Sequence, residues 1–114
     1  MIIERGKVVK FYQSKEFGEF LNSLPSKHKM KIQAKIYAIE EVGLIQASRA
    51  EWVKSLEDDM FEVRVRISSN SYRGLYFHLE ENKYIITHGF KKKTQEIHDR
   101  EKEIARKILR RYKK

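Results

Sequence analysis

The spacing of apolar residues divides the chain into segments of two periods. Lys7–Tyr12 (KVVKFY) reads as a short strand. Phe17, Phe20, Leu21 and Leu24 then fall at i, i+3, i+4 and i+7. That is one apolar face of a short helix, which Ser14 can cap. Leu24-Pro25 ends it, because the residue before a proline is driven out of helical backbone. Ser26 can cap a second helix running to about Val42, with Gly43 as its stop. Its stripe is Ile32, Ile36 and Ile39. Met30, Ala34 and Tyr37 lie off that stripe, so this helix is expected to touch something on a second side.

After a loop holding Leu44 and Ile45, the period drops to two. Trp52–Leu56 reads as a strand and Glu57-Asp58-Asp59 as a turn. Phe61, Val63, Val65 and Ile67 alternate with Glu62, Arg64, Arg66 and Ser68, the pattern of a strand buried on one face. Ser68–Ser71 reads as a loop. Tyr72–Leu79 and Lys83–His88 add two strands around Glu80-Glu81-Asn82. Tyr84, Ile85 and Ile86 are apolar on both parities, which predicts a central strand covered on both faces. A last helix, from about Gln95 to Tyr112, carries Ile97, Ile104, Ala105, Ile108, Leu109 and Tyr112 on one stripe. Glu96–Arg100 and Glu103–Lys107 are favourable i,i+4 pairs on it. The order β–α–α–β–β–β–β–α predicts an α+β domain of two layers. It has a small, mostly antiparallel sheet, an N-terminal helical hairpin and a basic C-terminal helix.

The 114 residues are expected to form a single domain, 1–114. The chain contains no cysteine, which excludes disulfide frameworks, thiolate metal sites and cysteine nucleophiles. Its longest apolar runs are a few residues, too short to span a membrane, and Met1–Arg5 has no long apolar leader core. A cytoplasmic location is the expectation. The formal net charge is +9, and it is concentrated: residues 91–114 hold eleven Lys/Arg against four Asp/Glu. A basic end on a near-neutral body suggests a polyanionic partner, RNA or DNA, with a merely solvated helix as the bland alternative.

No metal-ligand spacing joins His28, His78, His88 and His98, and there is no glycine-rich phosphate loop or nucleophile elbow. No metal or cofactor is expected. What remains is a set of cations near the sheet: Arg64, Arg66, Arg73, Lys91, Lys92 and Lys93, with Glu62 and His88 among them. Such a set suits metal-free RNA cleavage. There the substrate's own 2′-OH attacks the phosphate, and arginine and lysine stabilise the charge on the phosphorane. A base and an acid complete the chemistry. Each residue also has a structural reading. Arg64 and Arg66 share an outward parity and can simply pair with Glu62 or a cross-strand acid. Arg73 shares parity with Leu75 and Phe77, so it points toward a covered face and needs a phosphate or carboxylate there. His88 shares parity with Tyr84 and Ile86 and reads first as a core histidine. His28 and His98 read as exposed helix residues. Trp52 and Tyr76 can stack on bases but read first as core.

Four segments together resemble the RelE/HigB toxin superfamily, in particular its phage-derived Gp49-like, HigB-type branch. They are Leu56–Arg64 (LEDDMFEVR), Tyr72–Phe77 (YRGLYF), Ile86–Gln95 (ITHGFKKKTQ) and Glu103–Arg106 (EIAR). The Phe90–Gln95 string, following the two arginine strands in order, is the most specific of these. Two departures stand out. Asp59 or Met60 replaces a glycine before the Phe-Glu-Val-Arg strand, and Glu96-Ile97-His98 stands where the branch has Lys-Thr-Pro. The resemblance implies a RelE-like fold and the toxin of a type II toxin–antitoxin system. Such toxins are endoribonucleases that cut mRNA in the ribosomal A site and are neutralised in a hetero-oligomer with a helix-turn-helix antitoxin. Carried over residue by residue, Arg73 and Lys93 would stabilise the scissile phosphate, and Arg64 and Lys92 would hold flanking phosphates. His88 and Glu62 are the weaker acid–base candidates. Arg66, Lys91, Arg106 and Arg110 are further RNA contacts. Two other readings stay open. One is a non-catalytic nucleic-acid or ribosome-binding module. The other is a degenerate partner subunit of a DNA-binding repressor complex.

Overall fold

The computed structural model describes residues 9–94, 97 and 99–113. Strand β1 (Lys10–Gln13) turns into helix α1 (Lys15–Asn22) at Ser14. The Ser14 hydroxyl accepts from the Phe17 N–H at 3.1 Å, and the Ser14 N–H donates to the Ile86 carbonyl at 3.0 Å. One small residue thus caps the helix, as its position predicts, and ties this corner to the sheet. Phe17 and Leu21 are buried, and Phe20 and Leu24 half-buried, on the expected face. The part of the first strand expected before residue 9 lies outside the described residues.

Helix α2 (Ser26–Arg49) departs from expectation at both ends. Ser26 is its first helical residue and makes no cap; Pro25 holds that position, and its carbonyl accepts from the N–H groups of His28 and Lys29. At Gly43 the backbone leaves helical space (φ 86°, ψ 165°), as its glycine suggests, but the helix resumes and runs to Arg49. The expected Leu44–Ile45 loop is helical. Leu44 and Ala47 pack into the core, so burial carries the chain through the break. His28, expected exposed, is half-buried with Nδ1 2.7 Å from the Tyr72 hydroxyl.

Strands β2 (Val53–Glu57), β3 (Met60–Ile67), β4 (Asn70–Glu80) and β5 (Lys83–Lys91) form an antiparallel meander. β1 joins β5 in parallel, so the sheet is mixed, in the order β1-β5-β4-β3-β2. Helix α3 (Asp99–Leu109) closes the chain. Of the expected helix, Gln95, Glu96 and His98 lie outside the described residues.

The two faces of the sheet have separate cores. α1 and α2 cover Val63, Val65, Tyr76 and Ile86 with Phe17, Leu21, Ile32 and Ile39. α3 covers Met60, Leu75, Phe77 and Ile85 with Ala105 and Leu109. Helices therefore lie on both faces, and the expected two layers become three. Ile85 and Ile86 enter opposite cores, as a strand apolar on both parities should.

β5 contains a bulge. Leu75 stands opposite His88, yet Tyr76 stands opposite Ile86, so Thr87 is the extra residue. Its hydroxyl donates to the Leu75 carbonyl at 3.1 Å. The bulge reverses parity beyond it. His88 therefore does not share a face with Tyr84 and Ile86, as alternation suggests; it lies on the α3 side, with Leu75 and Phe90.

Candidate nucleic-acid interface

α3 covers one half of its sheet face. Lys102 Nζ sits 3.0 Å from Glu57, and Arg106 sits 3.3 Å from Glu57 and 3.6 Å from Asp59. These pairs fasten α3 to the β2–β3 turn. Beyond it, the same face of β3 and β4 carries Glu62, Arg64, Arg66, Ser71 and Arg73, and among the described residues no helix lies over them. Lys92 and Lys93 follow directly on β5. The Lys92 N–H donates to the Ser71 carbonyl at 2.7 Å and prolongs the β4–β5 ladder by one residue. The result is an open depression of about 450 Å³, lined by Arg64, Arg66, Ser71, Arg73, Lys92 and Lys93, with Thr94 at its rim.

Arg73 is the fixed point of this cluster. Only 7% of it is exposed. Its Nη1 donates to the Ser71 hydroxyl at 2.9 Å and to the Tyr72 carbonyl at 3.1 Å, while Nε lies 3.3 Å from Glu62 Oε2. Glu62 is 2% exposed and also lies 3.6 Å from Arg64 Nε. The buried arginine thus has the carboxylate that its burial demands. Glu62 Oε2 and Arg73 Nε are close enough for an ion pair but not aligned as a hydrogen bond, and both atoms are buried. Burial lowers the Arg73 pKa, Glu62 raises it, and Arg64 and Arg66 lower it again. An arginine remains charged throughout. The Lys92 pKa is lowered by burial first and then by Arg73, with Glu62 opposing and Arg64 and Lys54 adding to the fall. These cations therefore feel one another, which is the condition for attracting a polyanion.

Arg64, Arg66, Arg73, Lys92 and Lys93 are thus brought together, with Glu62 beneath them. Other residues proposed from the sequence lie elsewhere. His88 is buried, with Nε2 3.1 Å from Glu101 on α3 and its ring 5.6 Å from that of Phe90. It does not line the depression. Burial holds its pKa below the ordinary value, and Glu101 opposes that. Lys91 stands opposite Tyr72 and shares the other face. Arg106 is engaged by Glu57 and Asp59, and Arg110 is exposed just past α3. Tyr76 is core, 1% exposed. Sequence reasoning missed Ser71, the hydroxyl that holds Arg73; its i−2 spacing on the same strand face was the available signal. Among the described residues no group of three or more His, Cys, Asp or Glu is placed to hold a metal ion, and no helix is long and apolar enough to cross a membrane.

Fold and site together define a small α+β protein whose mixed sheet leaves an arginine- and lysine-lined half-face open. The family model described as phage derived protein Gp49-like (DUF891) matches residues 19–110, most of the chain and all of this site. The chain belongs to that Gp49-like, phage-derived family. No curated protein matches it.

Proposed function

We propose that this protein is a RelE/HigB-type toxin of a type II toxin–antitoxin system. It acts in the cytoplasm as a metal-independent endoribonuclease that cuts mRNA in the ribosomal A site. The observation that carries this reading is the convergence of Arg64, Arg66, Arg73, Lys92 and Lys93 on one uncovered half-face. The family membership is consistent with it.

In this mechanism the mRNA 2′-oxygen attacks the adjacent phosphorus and the P–O5′ bond breaks. The products are a 2′,3′-cyclic phosphate and a 5′-hydroxyl. Arg73, held by Glu62 and Ser71, and Lys93 stabilise the charge that builds on the non-bridging oxygens. Arg64 and Lys92 hold the flanking phosphates. A guanidinium fixed through two of its nitrogens costs little reorganisation when charge develops. Glu62 serves as counter-ion to two arginines in this arrangement, which leaves proton transfer to water, to Lys92 or to the ribosome. The burial of His88 beneath α3 favours a packing role for it.

The partner in this reading is a helix-turn-helix antitoxin. Met30, Tyr37 and Ile45 on α2 are 62–72% exposed, and Ala34 lies exposed between them. An unpaired apolar row of this kind supports a protein partner on the hairpin. End-mapping of a defined mRNA on stalled ribosomes tests the proposal. New 3′ ends in the A-site codon, absent without ribosomes, are expected. Blocked translation with intact mRNA would instead favour a non-catalytic binder, a reading supported by the lack of an imidazole among the described residues of the lining.

A further inference from the structure

The cationic depression continues around the end of the β3–β4 pair. A second depression of about 340 Å³ shares Arg64, Arg66, Ser71 and Arg73 with the first and adds Lys35, Glu51, Trp52 and Val65. Its volume lies in the range of small-ligand sites. Its chemistry differs from that of the phosphate-facing part. It contributes one aromatic plane, one carboxylate and one lysine ammonium.

The local backbone fixes the aromatic plane. Trp52 follows the end of α2; its N–H donates to the Ala47 carbonyl at 2.8 Å, and its carbonyl accepts from the Arg64 N–H at 2.8 Å. The indole is thereby held between the helix end and the arginine strand. It is half-buried, packed in part against the core, and Lys35 Nζ lies 4.1 Å from its ring centroid. Glu51 precedes it in left-handed backbone, φ 60°. Its N–H donates to the Ser48 carbonyl at 3.0 Å. Together with the Trp52–Ala47 bond this is the helix-ending loop that ordinarily uses glycine at the Glu51 position. A carboxylate is held there against backbone preference, beside the only tryptophan in the chain.

The geometry points to a nucleobase subsite on Trp52, occupied by the base next to a phosphate held by Arg64, Arg66 and Arg73. A flat base takes the place of the Lys35 ammonium on the indole, and Lys35 turns to the phosphate. Aromatic stacking accepts any base. Glu51 adds the discrimination. A carboxylate only accepts hydrogen bonds, and guanine is the standard base with two adjacent N–H donors on its pairing edge. The subsite therefore prefers guanine. This inference rests on the RNA-cutting reading for its biological meaning, but its test does not.

Because Trp52 is the only tryptophan, the intrinsic fluorescence of the intact protein reads the subsite directly. The probes are guanosine 5′-monophosphate, adenosine 5′-monophosphate and ribose 5-phosphate. Saturable quenching by both nucleotides, at least threefold tighter for the guanosine compound and absent with ribose 5-phosphate, is expected. Glu51→Gln, at an exposed position, should remove the difference between the two nucleotides and keep the quenching. Equal quenching by ribose 5-phosphate, or none by any probe, would overturn the subsite. Equal affinity for the two nucleotides in the unaltered protein would overturn the role of Glu51. Base-dependent quenching in a protein that cuts no mRNA would uphold the subsite and sink the nuclease. Cleavage without such quenching would do the reverse.

Discussion

Arg73→Ala should weaken the fold as well as the chemistry, and the structure gives the size of the effect. The substitution leaves the Glu62 carboxylate, 2% exposed, without its nearest cation. Two unit charges 3.3 Å apart interact by roughly 5 kcal/mol at an effective dielectric constant of about 20. The cost of burying both charges offsets much of that, so the intact pair adds little net stability. Removing one partner is different, because the desolvation cost of the other stays; such losses run to about 3–5 kcal/mol. Arg64, 3.6 Å from the same carboxylate, still compensates in part. That brings the expected loss to about 2–4 kcal/mol, a large share of the ~5–15 kcal/mol that holds a domain of this size. Lys93→Ala, at an exposed residue, should change stability by no more than about 0.5 kcal/mol. Urea unfolding followed by circular dichroism measures both. An Arg73→Ala midpoint indistinguishable from that of the unaltered protein would refute the buried-pair argument. The double substitution Glu62→Leu, Arg73→Met removes both charges and should recover most of the lost stability. If the protein cuts mRNA as proposed, loss of cleavage in Arg73→Ala alone therefore does not assign a catalytic role, whereas loss in Lys93→Ala does.

Other consequences follow from single contacts. A Cβ on Gly89 would run into the Phe20 ring and lie 3.1 Å from Phe17 Cε1, so Gly89→Ala should cost about 1–3 kcal/mol in the same unfolding assay. Glu51→Gly relieves left-handed backbone and should gain about 1 kcal/mol, seen as a melting temperature several degrees higher. Burial holds the native His88 pKa below the ordinary 6.5, so the unfolded chain takes up that proton more readily. Its contribution to stability is thus complete above about pH 6.5 and lost as pH falls through the lowered native value. Unfolding free energies between pH 7 and 5 should show this slope, and His88→Gln should flatten it.

The legible and illegible parts of this molecule divide along local and long-range physics. Alternation along β3 and β4 was enough to place Arg64 and Arg66 on one face and to require an anion beside Arg73. The capping chemistry of Ser14 and the break at Gly43 were equally local. The reversal of His88 was not, because one extra residue at Thr87 exchanges the faces of everything beyond it. Nor does periodicity say which face α3 chooses, and that choice decides which half of the sheet stays open. Glu51 reaches the cationic groove only because α2 continues past Gly43, a continuation driven by burial of Leu44 and Ala47. A cluster of cations near the sheet was therefore visible in the sequence, and which of them share one groove was not.

The central claim is that the open half-face is where a phosphodiester is cut. Single-turnover cleavage of mRNA on stalled ribosomes, comparing the unaltered protein with the Lys92→Ala, Lys93→Ala variant, tests it most directly. The variant should fold normally by circular dichroism and cleave at least ~100-fold more slowly, the scale of one lost charge stabiliser in a preorganised site. Cleavage within threefold of the unaltered rate would contradict the claim and place the chemistry elsewhere on the molecule.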